Sequence, residues 1–175
     1  MTNQMWQAPK RAYKDLCLII DSSGSIPLEA FRGAIRAIPI IYYIAEAKRG
    51  QVAVINFSDE TRSSGWMASP FDVSPDVLIY RGFGSSFDAG VLNKLARARK
   101  PFAMLMVTDE AIVNYSNVVP VLKRMVSKGN ALGVLNLGDG SNGLMQGLAD
   151  IRSVPMTEDG VMRGVIEYTC TMLLK

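Results

Sequence analysis

The alternation of short, continuously apolar runs with longer amphipathic stretches constrains this 175-residue chain more than any other feature. Apolar runs fall at 16–21, 51–57, 102–108, 131–137 and 151–155. None alternates strictly between apolar and polar residues, so each is read as a strand buried on both faces, as in a parallel sheet. The stretches between them carry helical period. Pro27-Leu28-Glu29 opens the first with a proline and an acid, and its apolar stripe is Phe31, Ile35, Ile38, Tyr42 and Ala45. Lys48-Arg49-Gly50 closes it, while Pro39 predicts a kink or a split.

A second helix is expected from Phe87, with Val91, Leu92, Leu95 and Ala96 inward, and a third over 116–128, stopping at Gly129-Asn130. A short fourth is expected over 144–149 and a last over 160–174. The polar segment Thr61–Met67, behind the Ser58-Asp59-Glu60 turn, reads as an antiparallel edge strand. This order predicts an α/β three-layer sandwich with a mostly parallel, doubly wound sheet and one antiparallel edge strand. Residues 1–14 are read as an N-terminal extension and 15–175 as a single domain, long enough to bury roughly two-thirds of its unfolded surface.

With 49% hydrophobic and 20% charged residues the chain is of globular rather than disordered type. Its net charge of +3 is modest. Basic residues scatter across Arg32, Arg36, Arg97, Arg99, Lys123 and Arg124, whereas a nucleic-acid binder gathers them, so no nucleic-acid partner is expected. Histidine is absent, which removes Ser-His-Asp and Cys-His hydrolases, His-ligated zinc and His general bases. Cys17 and Cys170 read as small buried hydrophobes; their pairing stays open, because the last helix can lie against the central strand. The N-terminal MTNQMWQAPKRAYK lacks a secretion pattern, and no apolar run reaches the ~20 residues of a membrane helix. A reduced, cytoplasmic protein without a membrane span is expected.

Directly after Leu16–Ile20 comes Asp21-Ser22-Ser23-Gly24-Ser25, a carboxylate and two hydroxyls at alternate positions. These are hard oxygen donors suited to a small divalent cation such as Mg2+. In open α/β sheets ligands bind beyond the carboxyl ends of the strands. Two more loops carry oxygen donors: Gly82-Phe83-Gly84-Ser85-Ser86, and Thr108-Asp109-Glu110 at the end of the 102–108 run. All three converge if the 16–21 and 102–108 strands are neighbours.

On these motifs the chain resembles the von Willebrand factor A (vWA) family, in its compact bacterial and archaeal form. Asp21, Ser23 and Ser25 match the Asp-x-Ser-x-Ser of that family's metal-ion-dependent adhesion site. Ser85 falls where the family has threonine, and Asp109 matches the later Thr-Asp. The glycine that often follows is replaced by Glu110. The resemblance in element order runs from about Asp15 to Leu174 and implies a Rossmann-like fold. It further implies that Ser23, Ser25 and Ser85 give hydroxyl oxygens to Mg2+ (or Mn2+ or Ca2+), with Asp21 and Asp109 acting directly or through water. A remaining position on the metal would accept a carboxylate from a partner protein, such as an ATPase or a member of a larger complex. The function implied is a cation-dependent protein–protein interaction module and not an enzyme.

Other readings stand beside these. Ser25 can cap the first helix, and Ser85 can form a capping box with Asp88. Ser86 is the alternative hydroxyl to Ser85, with the Ser85-Ser86-Phe87 spacing favouring Ser85. Asp109 can be a solvated strand-end acid, and Glu110 reads as a rim charge rather than a ligand, with repulsion of acidic partners or occupation of the metal itself as its other roles. Residues 138–143 lack the Lys-Ser/Thr ending of a P-loop and read as turn chemistry. Trp66, Phe71 and Phe83 are candidate exposed aromatics near the site, with Phe83 as a partner anchor. Two rival functions are a vWA scaffold that works without metal and a Mg2+-dependent phosphohydrolase using Asp21 as nucleophile. The second lacks an aspartate at position 23 and a supporting lysine.

Overall fold

The computed structural model describes residues 5–138, 143 and 145–174. Six strands form one sheet: β1 (Leu16–Asp21), β2 (Val52–Phe57), β3 (Thr61–Met67), β4 (Ala103–Thr108), β5 (Ala131–Asn136) and β6 (Asp150–Ser153). Their order across the sheet is β3-β2-β1-β4-β5-β6, with only the β2–β3 pair antiparallel. Helices α1 (Leu28–Ala47) and α4 (Glu158–Leu173) cover one face, and α2 (Gly90–Leu95) and α3 (Tyr115–Ser127) the other. Two short 3-10 turns, Pro70–Asp72 and Pro75–Leu78, follow β3.

Every residue of β1, β2 and β4 is buried, which is why these runs are apolar without alternation. Successive side chains go to opposite faces. Leu16, Leu18 and Ile20 join Val54, Leu105 and Val165 under α1 and α4. Cys17 and Ile19 join Ile55, Met104 and Leu122 under α2 and α3. Cys170 packs against the α1/α4 cluster, so the two thiols lie on opposite sides of the sheet and both are free. Burial pushes the Cys17 thiol pKa far up, leaving an inert core residue.

Several local expectations need correction. Pro39 does not split α1, which runs unbroken through it. Its buried stripe Ala34, Ala37, Ile38, Ile41 and Tyr42 stays in the core, and that packing holds the helix where one backbone bond is missing. The second helix starts at Gly90 rather than Phe87. Of the helix expected over 144–149, residues 145–148 form turns, Ala149 is a bend, and Leu144 lies outside the described residues. Gly147 adopts φ +77°, which ends helical propagation. The loop at 138–143 is described only at Gly138 and Gly143.

The segment before β1 is packed onto this body. Trp6 is buried with its ring 4.9 Å from Tyr168, edge on, and Tyr13 N–H donates to Met172 O at 2.9 Å. No helix among the described residues is long and apolar enough to cross a membrane.

Candidate functional site

β1 and β4 are hydrogen-bonded neighbours, so the loops after them meet. Asp21 is fully buried. Its Oδ1 accepts the Ser23 N–H at 2.9 Å and its Oδ2 accepts Thr108 Oγ1–H at 2.7 Å, which fixes the carboxylate between two loops. Burial is the main cause of its raised pKa. The Ser23 and Thr108 hydrogen bonds work against the rise, and the nearby charge of Asp109 adds to it. Ser23 Oγ and Ser25 Oγ lie 3.3 Å apart. Helix α1 is preceded by Pro27 and has no side-chain cap bond, so Ser25 does not cap it.

The second loop is stitched to the first by backbone bonds, Gly24 N–H to Phe83 O and Gly82 N–H to Ser22 O, both at 2.8 Å. At Gly24 an added Cβ would stand 3.0 Å from Gly82 O, so a side chain here would press on the second loop. Ser85 is buried, and its Oγ has no hydrogen-bond partner. The capping box with Asp88 does not form, because Asp88 Oδ1 accepts Gly90 N–H at 3.0 Å instead. Ser85 O accepts Val113 N–H at 2.7 Å, which ties this loop to the stretch after β4. Ser86 is the less buried of the two serines.

In the third loop Asp109 is partly exposed, with Oδ1 accepting Ala111 N–H at 3.0 Å. Glu110 is not a rim charge. It is buried with φ +63°, its N–H donates to Thr108 Oγ1 at 3.0 Å, and its Oε1 accepts Asn136 Nδ2–H at 3.0 Å. The backbone at this point takes the left-handed turn that glycine favours, and the turn swings the side chain inward toward the end of β5. Glu110 Oε2 and Asn136 Oδ1 are buried without partners. Burial raises the Glu110 pKa, with Asp109 adding to the rise and the Asn136 bond opposing it.

Three supporting residues went unread in the sequence. Ser58 Oγ donates to Gly84 O (2.9 Å) and accepts Phe83 N–H (3.1 Å), anchoring the second loop to the end of β2. Asn56 accepts Ser22 Oγ–H at 2.6 Å while its Nδ2 donates to Val77 O and Ile79 O. Asn114 both accepts from Phe87 N–H and donates to Phe87 O, at 2.9 Å each. Ser58 carried a signal, being a hydroxyl at a strand end; Asn56 and Asn114 carried none. Phe83 and Phe71 are exposed, whereas Trp66 is not at this site. Trp66 pairs with Ala53 near the start of β2 and donates from Nε1 to Leu95 O at 2.9 Å.

No cluster of three or more His, Cys, Asp or Glu side chains with metal-holding geometry exists among the described residues. The donor set is of another kind, rich in hydroxyls with one or two carboxylates. Such a set fits a hard cation, and the orphaned Ser85 Oγ is a buried lone pair that such a cation would satisfy.

The sheet order, the single antiparallel edge and the two helical layers define a von Willebrand factor A-like α/β sandwich. The chain is similar to BatB from Bacteroides thetaiotaomicron, a conserved hypothetical protein, with TM-score 0.64 and 15% identity over 90% of this chain and 98% of that one. It is also similar to proximal thread matrix protein 1 from the mussel byssus (TM-score 0.63, 14% identity, 89% of this chain and 46% of that one). A third likeness is to the manganese-loaded TRAP protein of Plasmodium vivax (TM-score 0.56, 12% identity, 89% and 71%). At such identities the likeness is one of fold. No protein-family model and no curated protein matches the chain.

Proposed function

We propose that this chain is a non-catalytic protein-interaction module whose binding depends on a divalent cation, Mg2+ or Mn2+, at the carboxyl end of the sheet. Ser23, Ser25 and Ser85 would hold the cation through hydroxyl oxygens, with Asp21 and Asp109 as the nearby carboxylates. When bound, the cation supplies an electrophilic position for a carboxylate of the partner protein. The observation that carries this reading is the Ser85 hydroxyl, buried and unpartnered, on a loop bonded through Phe83 O to the loop of Ser23 and Ser25. Thr108 and the Ser23 N–H hold Asp21 in one orientation, and Ser58 holds the Ser85 loop in place. Phe83, 63% exposed, stands in that loop as an apolar contact for the partner.

Calorimetric titration with Mn2+ tests the reading. One ion per chain is expected for the native protein, with binding at least about tenfold weaker in Asp21→Ala and Ser85→Ala. Capture of partners should be lost in EDTA and restored by Mg2+. Equal Mn2+ binding by native and variant chains would reject it, and capture unaffected by EDTA would favour the metal-independent scaffold.

A further inference from the structure

At the opposite end of the strands lies a cavity of about 1120 Å³, between the segment preceding β1 and the residues preceding β4. Tyr13 closes one side, its hydroxyl donating to Gly129 O at 3.0 Å. Besides Arg99, four cations line the cavity: Lys10, Arg11, Lys14 and Lys100. All four are exposed, and none makes an ion pair with a described residue. Asp15, the acid lining this cavity, is already neutralised: its Oδ2 is 3.0 Å from Arg99 Nη1, and its Oδ1 accepts Gln51 N–H at 2.7 Å. Arg99 is itself fixed, bonded to Gln51 Oε1 and stacked 4.6 Å above the Trp66 ring. The uncompensated charge therefore belongs to the four free cations.

A concave site with several unpaired cations selects a ligand with several negative charges. Pro9, Ala12 and Pro101 add apolar wall between the charges, so an apolar body on the same ligand would also be held. The volume is slightly above the ~300–1,000 Å³ range of small-molecule sites. That matches one compact molecule better than a polymer, which needs a stripe of charge to follow. We propose that this cavity binds a phosphorylated organic anion of the nucleoside polyphosphate class, with Lys10, Arg11, Lys14 and Lys100 on the phosphates. It lies at the other end of the sheet from Asp21 and stands independently of the cation-dependent reading.

The test is calorimetry on the full chain with ATP and with inorganic tripolyphosphate, in EDTA throughout so that the cation site makes no contribution. One ATP per chain is expected, weakened about tenfold or more in the Lys14→Gln/Lys100→Gln double variant and unchanged in Lys123→Gln, which removes an exposed charge from α3. Tripolyphosphate should compete with ATP and bind more weakly. Absence of ATP binding at millimolar concentration, or equal affinity in the double variant, overturns the proposal. Tripolyphosphate binding as tightly as ATP overturns its nucleoside part. Binding of a dT20 oligonucleotide with no binding of ATP overturns it in favour of nucleic acid.

Discussion

Glu110 combines a left-handed backbone with a buried carboxylate. For a residue with a Cβ, that backbone alone costs roughly 1–2 kcal/mol. Both Glu110 and Asp21 have pKa values raised chiefly by burial, so the folded state holds their protons more tightly than the unfolded chain does. Stability from these two groups is therefore full below the ordinary carboxylate range, about pH 4. It falls as pH rises through that range toward their raised values. In EDTA, denaturant unfolding should show this decline, and Glu110→Gln should flatten it and raise stability at pH 7 by about 1 kcal/mol. A steeper decline in Glu110→Gln would contradict the assignment. Mn2+ should raise the melting temperature more at pH 7 than at pH 5, because only the ionised Asp21 is a strong cation donor.

Among the elements, α1 and α4 meet at Gly33, where an added Cβ would stand 2.3 Å from Glu158 O, a backbone atom that cannot yield. Gly33→Ala should cost about 1–3 kcal/mol in urea unfolding. Tyr168 lies over Gly133, where an added Cβ would stand 2.3 Å from its ring, and its hydroxyl donates to Met104 O at 2.6 Å. Tyr168→Phe should cost about 1 kcal/mol, the worth of one buried hydrogen bond. Elements defined by local pattern were legible in the sequence: β1 and β3 have the bounds their composition implied, and the convergence of three loops followed from placing β1 beside β4. Features set by distant partners were not. Helix α2 starts late because the Phe87 carbonyl accepts from Asn114 Nδ2–H, 27 positions away, and from Ala89 N–H instead of the Val91 N–H that a helix from Phe87 would need. Glu110 turns inward toward Asn136, 26 positions on, and no local signal marks that partner. The hydroxyls of Ser25 and Ser85 looked equally fit for helix caps, and only the three-dimensional arrangement leaves them free of that role.

At the scale of the molecule, the fold polarises charge along the strands. Lys10, Arg11, Lys14 and Lys100 gather at the start of the strands, while Asp21, Asp109 and Glu110 gather at their ends. The two thiols are separated by the sheet itself. The melting temperature should therefore be the same with and without dithiothreitol, and a non-reducing gel should show no intrachain bridge; a Cys17–Cys170 disulfide by mass spectrometry would contradict the packing. The sheet order also bears on how the chain is made. β1 is apolar on both faces and leaves the ribosome before its neighbour β4, which ends at Thr108, 87 positions after Asp21. At translation rates of about 5–20 residues per second, the central strand waits on the order of 4–17 s with one edge unpaired. The nascent chain is most exposed to wrong pairing during that interval, so chaperone demand in this protein should track the delay between its first strand and its fourth.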